Sequence, residues 1–120
     1  MRCMPLALLL LALPACVVPG CAAPAIEPSY RDPTPEAQLD AIRQSAQRKD
    51  MKDVPALVEC LWSDDPAVRM AAIEALKRIT GTTLDYRAAA TPSERAPAVE
   101  RWKAWVREHH LLPAAPTGSQ

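Results

Sequence analysis

Proline placement decides where this chain can fold. Seven of its 13 prolines precede Glu36 (Pro5, Pro14, Pro19, Pro24, Pro28, Pro33 and Pro35), and Pro113 and Pro116 lie near the end. Only Pro55, Pro66, Pro92 and Pro97 fall between Glu36 and His110. Proline fixes φ and has no N–H to donate, so it disrupts a helix interior. The pattern divides the 120 residues into a leader over 1–20, a Pro-rich linker over 21–35, one folded domain over 36–109 and a loose tail over 110–120. There is no Phe, so the domain core is aliphatic apart from its Trp residues.

Leu6 to Leu13 is an unbroken aliphatic run, preceded by Arg2 and well ahead of the first acidic residue, Glu27. Extended through Val18 it spans 13 residues, too short to cross a bilayer but of signal-peptide length. Pro14 and Pro19 argue against a buried core helix here. The end of the segment resembles a bacterial lipobox, in which a Cys after a small residue is lipidated and becomes the mature N-terminus. Leu13-Pro14-Ala15-Cys16 and Val18-Pro19-Gly20-Cys21 are the two places that fit. Cys21 is preferred, with a full-length apolar run and Gly before it and Ala22-Ala23-Pro24 after it. The resemblance implies an exported protein of the cell envelope, anchored to the membrane through Cys21 and facing the periplasm or the cell exterior. Lipidation at Cys16 and plain cleavage are the alternatives. Cleavage before Cys21 removes Cys3 and Cys16 and leaves Cys60 as the free thiol, so no intramolecular disulfide forms. The spacings contain no C-x-x-C pair and hence no haem-attachment or zinc motif of that type.

Four helices are predicted after the linker, with strand signals nearly absent. The first spans about Pro35–Asp50, capped by Thr34, and carries a thin stripe of Leu39, Ile42 and Ala46. The second spans about Val54–Ser63, with Asp53 as N-cap and Val54, Leu57, Val58 and Leu61 on one face. Cys60 and Trp62 flank that face, and no base stands at helical spacing to activate the thiol. The third opens at Asp64-Asp65-Pro66, presents Val68, Ala71, Ala72, Ala75, Leu76 and Ile79 on one side, and stops at Gly81. The fourth opens on the capping box Thr91-Pro92-Ser93-Glu94 and buries Ala98, Val99, Trp102, Trp105 and Val106. Pro97 predicts a kink or a late start there. The two Trp read as core in preference to a stacking platform, because they share a face with Val99 and Val106. The predicted core is therefore Leu57, Leu61, Val68, Ala72, Leu76, Ile79, Val99, Trp102 and Trp105.

Residues Asp53 to Leu61 followed by Asp65 to Ile79 resemble a HEAT repeat. The first segment is similar to its outer helix, V-P-x-L-V-x-x-L, and the second to its inner helix, D-P-x-V-R-x-x-A-x-x-A-L. The resemblance implies an all-α, short α-solenoid fragment of about four helices, in which Asp65 and Arg69 bridge neighbouring repeats. A single repeat cannot bury its apolar faces alone. Either the Trp-bearing fourth helix closes this one, or a partner does.

Fourteen basic residues balance fourteen acidic ones, which gives no basic surface for nucleic acid. There is no phosphate loop, nucleophile elbow or H-E-x-x-H. No catalytic residue, cofactor or metal site is assigned. The resemblance points to a non-enzymatic interaction or scaffold module for an envelope protein partner. Its expected surface is the exposed face of the third helix with the loop Thr82–Ala90. The alternative is a small enzyme or metal- or ligand-binding protein using His109-His110, which Asp85, Tyr86 and Glu108 join only if the fold brings them together.

Overall fold

The computed structural model describes residues 28–111. The leader, both candidate lipidation cysteines, the start of the linker and residues 112–120 lie outside them. Among the described residues the regular structure is helical throughout, with no strand. The helices are α1 (Pro35–Arg48), α2 (Val54–Cys60), α3 (Pro66–Thr80) and α4 (Pro92–Glu108). α3 is the centre of the stack, with α1 along one side and α2 along another, and α4 packs on α2. The expectation of an all-α, four-helix unit holds.

α1 is shorter than expected but better packed. Ala37, Ala41, Ile42 and Ser45 are buried, whereas Leu39 and Ala46 are only partly so. Small side chains let the α1 backbone approach α3 closely, which its thin stripe of larger residues does not suggest. Ser45 is fully buried, and its hydroxyl pairs with that of Tyr30. The Ser29 N–H donates to the Ala37 carbonyl at 3.1 Å, and Gln38 Nε2 donates to the Asp32 carbonyl at 2.7 Å. The end of the Pro-rich segment is therefore folded against α1, and the packed unit begins at Tyr30 rather than Glu36. At the other end Leu111, placed in the tail by the sequence, donates its N–H to Val106 and packs against the core.

α2 starts differently from the sequence expectation. A 3₁₀ turn, Met51–Asp53, leads into it, and Asp50 caps that turn by accepting from the Lys52 N–H at 2.9 Å. Asp53 makes no capping bond. Its carboxylate instead takes Arg48 Nη2 at 2.9 Å across the α1–α2 corner. Val54, Leu57, Val58, Cys60 and Leu61 are buried.

α3 and α4 have well-defined ends. Asp65 caps α3 by accepting from the Ala67 and Val68 N–H groups at 2.7 and 3.2 Å. At its other end Gly81 is left-handed, φ 84°, and donates its N–H to the Lys77 carbonyl at 2.8 Å. Nothing lies within 4 Å of where a Cβ would sit at Gly81. Gly81→Ala therefore isolates the backbone penalty, and urea denaturation should show a loss of about 1 kcal/mol without a change in slope. α4 carries the full capping box, in which the Thr91 N–H donates to Glu94 at 2.8 Å and holds that carboxyl below its ordinary range. Pro97 does not delay the start: the helix is continuous from Pro92, fixed by the box and by the Arg95 N–H to the Thr91 carbonyl at 3.0 Å.

Candidate functional site

The loop from Gly81 to Thr91 is laced to the helices on both sides of it. Its carbonyls are taken by four side chains. Trp102 Nε1 donates to Thr83 at 3.1 Å and Arg101 Nε to Leu84 at 3.0 Å. Arg69 Nε donates to Ala88 at 3.1 Å and Arg95 Nη1 to Ala90 at 2.9 Å. Leu84 and Asp85 both have left-handed backbone, φ 48° and 58°, which costs about 1–2 kcal/mol each for such residues. Tyr86 and Ala88 are buried. The Tyr86 hydroxyl donates to the Leu61 carbonyl at 2.6 Å, satisfying an acceptor that the end of α2 leaves open. The loop Thr82–Ala90 is thus spent largely on internal closure. Asp85, Arg87 and Ala89 remain exposed, so the loop turns its carbonyls inward while these residues face solvent.

Asp65 and Arg69, which the resemblance assigns to contacts between neighbouring repeats, both make their bonds within this unit. Asp65 is occupied as the α3 cap. The Arg69 guanidinium is buried and donates to three carbonyls, with Nη1 reaching Ser63 and Asp64 at 2.8 Å each and Nε reaching Ala88. It ties the α2–α3 turn to the α3–α4 loop inside one repeat.

Of the predicted core, Leu57, Leu61, Val68, Ala72, Leu76, Val99 and Trp102 are at most 2 % exposed. Ile79 and Trp105 are only partly buried, each at the edge of the packed cluster. Trp105 meets Trp102 edge to face, with centroids 5.7 Å apart. Ile73 and Tyr86 are core residues that the sequence pattern misses. The α3–α4 loop reaches the side of α3 that carries Arg69, where Ala88 accepts from its guanidinium, and Ile73 lies one turn further along that side.

The histidines do not converge on a site. The His109 ring stacks on Trp105, with centroids 3.7 Å apart, and its Nδ1 lies 2.8 Å from the Trp105 carbonyl. His110 is exposed with φ 53°. Tyr86 is held in the core by Leu61, and Asp85 and Glu108 are exposed. Among the described residues no three His, Cys, Asp or Glu side chains are grouped to hold a metal ion.

Cys60 is buried, and loss of hydration pushes its thiol from an ordinary 9.0 up to about 11, with the neighbouring Glu59 charge adding to the shift. The folded state therefore keeps the proton longer than the unfolded chain. That contribution to stability is complete below pH 9 and is lost as pH rises from 9 to about 11. Replacing Cys60 with Ala should flatten the alkaline decline of the unfolding midpoint over that interval, read against the same titration of the wild type.

A recess of about 460 Å³ runs between α2 and α4. Pro55, Ala56, Val58, Val106 and Leu111 supply apolar lining, and Arg31, Lys52, Lys103 and Arg107 stand around it. Elsewhere Trp62 in the α2–α3 turn and Met70 on α3 are the large apolar side chains left exposed, at 40 % and 50 %.

The pairing of α2 with α3, the aspartate cap before Pro66 and the buried arginine one turn later define a helical repeat. The family model for HEAT repeats matches residues 23–101. The chain belongs to the HEAT-repeat family. No curated protein and no solved structure matches it. HEAT repeats generally mediate protein–protein interaction or scaffolding, and the family is typically non-enzymatic. In this HEAT unit α4 packs on α2, and the laced loop joins it to α3.

Proposed function

We propose that this HEAT protein is a non-enzymatic interaction module of the cell envelope, tethered to a membrane by lipid on Cys21. The observation that carries the interaction half is the family match, together with a helical unit that closes one flank with α4 and leaves a lined recess on the α2–α4 flank. The tether half is supported by the sequence: an aliphatic run from Leu6 to Leu13, a Gly-Cys junction at Cys21, and a Pro-rich stretch before the packed unit. That stretch acts as a spacer between bilayer and domain. Its effective length is shortened by the packing of Tyr30 on the core.

The test is metabolic labelling with a fatty acid in a bacterial host that processes lipoproteins. Wild-type protein should carry the label and partition with membranes, and the Cys21→Ser variant should carry none. Label retained by that variant moves the anchor to Cys16 or elsewhere. An unlabelled wild type recovered wholly in the soluble fraction refutes the tether.

A further inference from the structure

From the recess between α2 and α4 we infer a docking site for an acidic, amphipathic segment of a partner protein. The inference rests on the interaction-module reading and specifies its surface and the partner's chemistry. Three observations carry it. The lining is apolar where the two helices face each other, with Pro55 and Ala56 on α2 and Val106 on α4, and Leu111 at one end. Around it stand four cations from three parts of the fold: Arg31 before α1, Lys52 in the 3₁₀ turn, and Lys103 and Arg107 one helical turn apart on α4. Glu59 is the acidic residue among the lining side chains.

These cations are largely uncommitted. Among the described residues, Arg31, Lys52 and Arg107 form no ion pair with a carboxylate. Lys103 pairs with Glu100 at 3.0 Å, but the Glu100 side chain is 61 % exposed, so that pair is easily exchanged. The chain as a whole is neutral, so four cations around one apolar recess are a local concentration rather than a general excess. Complementarity then specifies apolar side chains on one face of the guest and carboxylates along its edges. A volume of about 460 Å³ accepts two or three aliphatic side chains of such a segment. The recess favours a protein segment over an anionic bilayer. Membrane-surface helices insert apolar residues that project into the lipid. Here the apolar residues line a depression and the cations stand around it.

The test uses the full 120-residue chain in mild detergent and a fluorescent 16-residue helical peptide with Leu on one face and Glu on the other. A second peptide carries Lys in place of each Glu. Anisotropy should show binding of the acidic peptide, at least tenfold weaker binding of the basic one, and several-fold weakening between 50 and 500 mM salt. K103E/R107E changes exposed or half-exposed positions and should keep the wild-type circular dichroism while losing at least tenfold in affinity. Leu111→Glu should weaken binding similarly by placing a charge in the apolar end.

Equal binding of both peptides, or unchanged affinity in K103E/R107E, overturns the proposal. So does binding to phosphatidylglycerol vesicles through Lys103 and Arg107 with no binding of the acidic peptide. Removal of residues 112–120 that raises peptide affinity tenfold assigns the recess to the chain's own tail and also overturns it. If an envelope protein is retained equally by the wild type and by K103E/R107E, the interaction module stands and the recess is excluded as its surface.

Discussion

Trp102→Ala should lower the thermal midpoint by roughly 20 °C, the largest single-residue effect expected in this domain. Trp102 is fully buried, faces the core with Val99 and Val106, and is the side chain through which α4 holds the Thr83 carbonyl. Truncation removes the indole contacts, leaves a cavity and strips the carbonyl of its donor. Substitutions of this kind cost about 3–5 kcal/mol. A small domain has only about 5–15 kcal/mol in total, and each kcal/mol moves the midpoint of a domain this size by about 4–8 °C. Trp102→Phe separates the components, since it keeps most of the ring volume and loses the Nε1 donor. It should cost about 1–2 kcal/mol. A Trp102→Ala protein that melts within about 5 °C of the wild type means that α4 does not close the unit.

Arg69→Met should cost about 3 kcal/mol although it preserves an unbranched chain of similar reach. The guanidinium donates to Ser63, Asp64 and Ala88, and Met returns none of these bonds. Each partly buried carbonyl left without a donor costs about 1–3 kcal/mol, reduced where water can enter. Arg69→Lys should recover only part of the loss, because one ammonium cannot reproduce a planar fork that reaches two sides at once. Urea denaturation of the three proteins checks this order. Equal stability of the Lys and Met variants would show that the bonds to the α2–α3 turn and the loop contribute little.

The helices were legible because their ends carry local chemistry. Asp65 before Pro66, Gly81 after Thr80, and Thr91 with Glu94 around Pro92 each act within a few residues, so one sequence suffices to read them. Burial on one face was legible for the same reason, as with Leu57 and Leu61 or Val68, Ala72 and Leu76. What was not legible depends on partners distant in sequence. Ile73 is buried on the side of α3 that carries Arg69, away from Ala71, Glu74 and Ala75 that line the groove against α1, and nothing in the pattern of α3 says so. Tyr30 and Tyr86 are polar-tipped aromatics in segments without periodicity. Each finds its hydroxyl partner 15 or 25 residues away, at Ser45 and Leu61. Asp53 looked like a cap because it precedes Val54-Pro55. It is drawn off by Arg48, and Asp50 caps the preceding 3₁₀ turn instead.

The recess between α2 and α4 was hidden for the same reason. Its four cations are spread over 77 residues of sequence, from Arg31 to Arg107, and no local run announces them. The lacing of the loop Thr82–Ala90 was hidden as well. Polar and irregular in sequence, it resembles an exposed surface, yet its carbonyls are occupied by Arg69, Arg95, Arg101 and Trp102.

Everything rests on residues Tyr30 to Leu111 opening and closing as one body, with the laced loop and α4 sealing the repeat. Hydrogen exchange on the full chain measures this directly. The slowest amides of α1, α2, α3 and α4 should share one opening free energy, and the Trp102 indole N–H should exchange with them. An α4 that exchanges at near-unprotected rates while α2 and α3 stay closed, or a Trp102 indole N–H that exchanges as freely as that of Trp62, would contradict it.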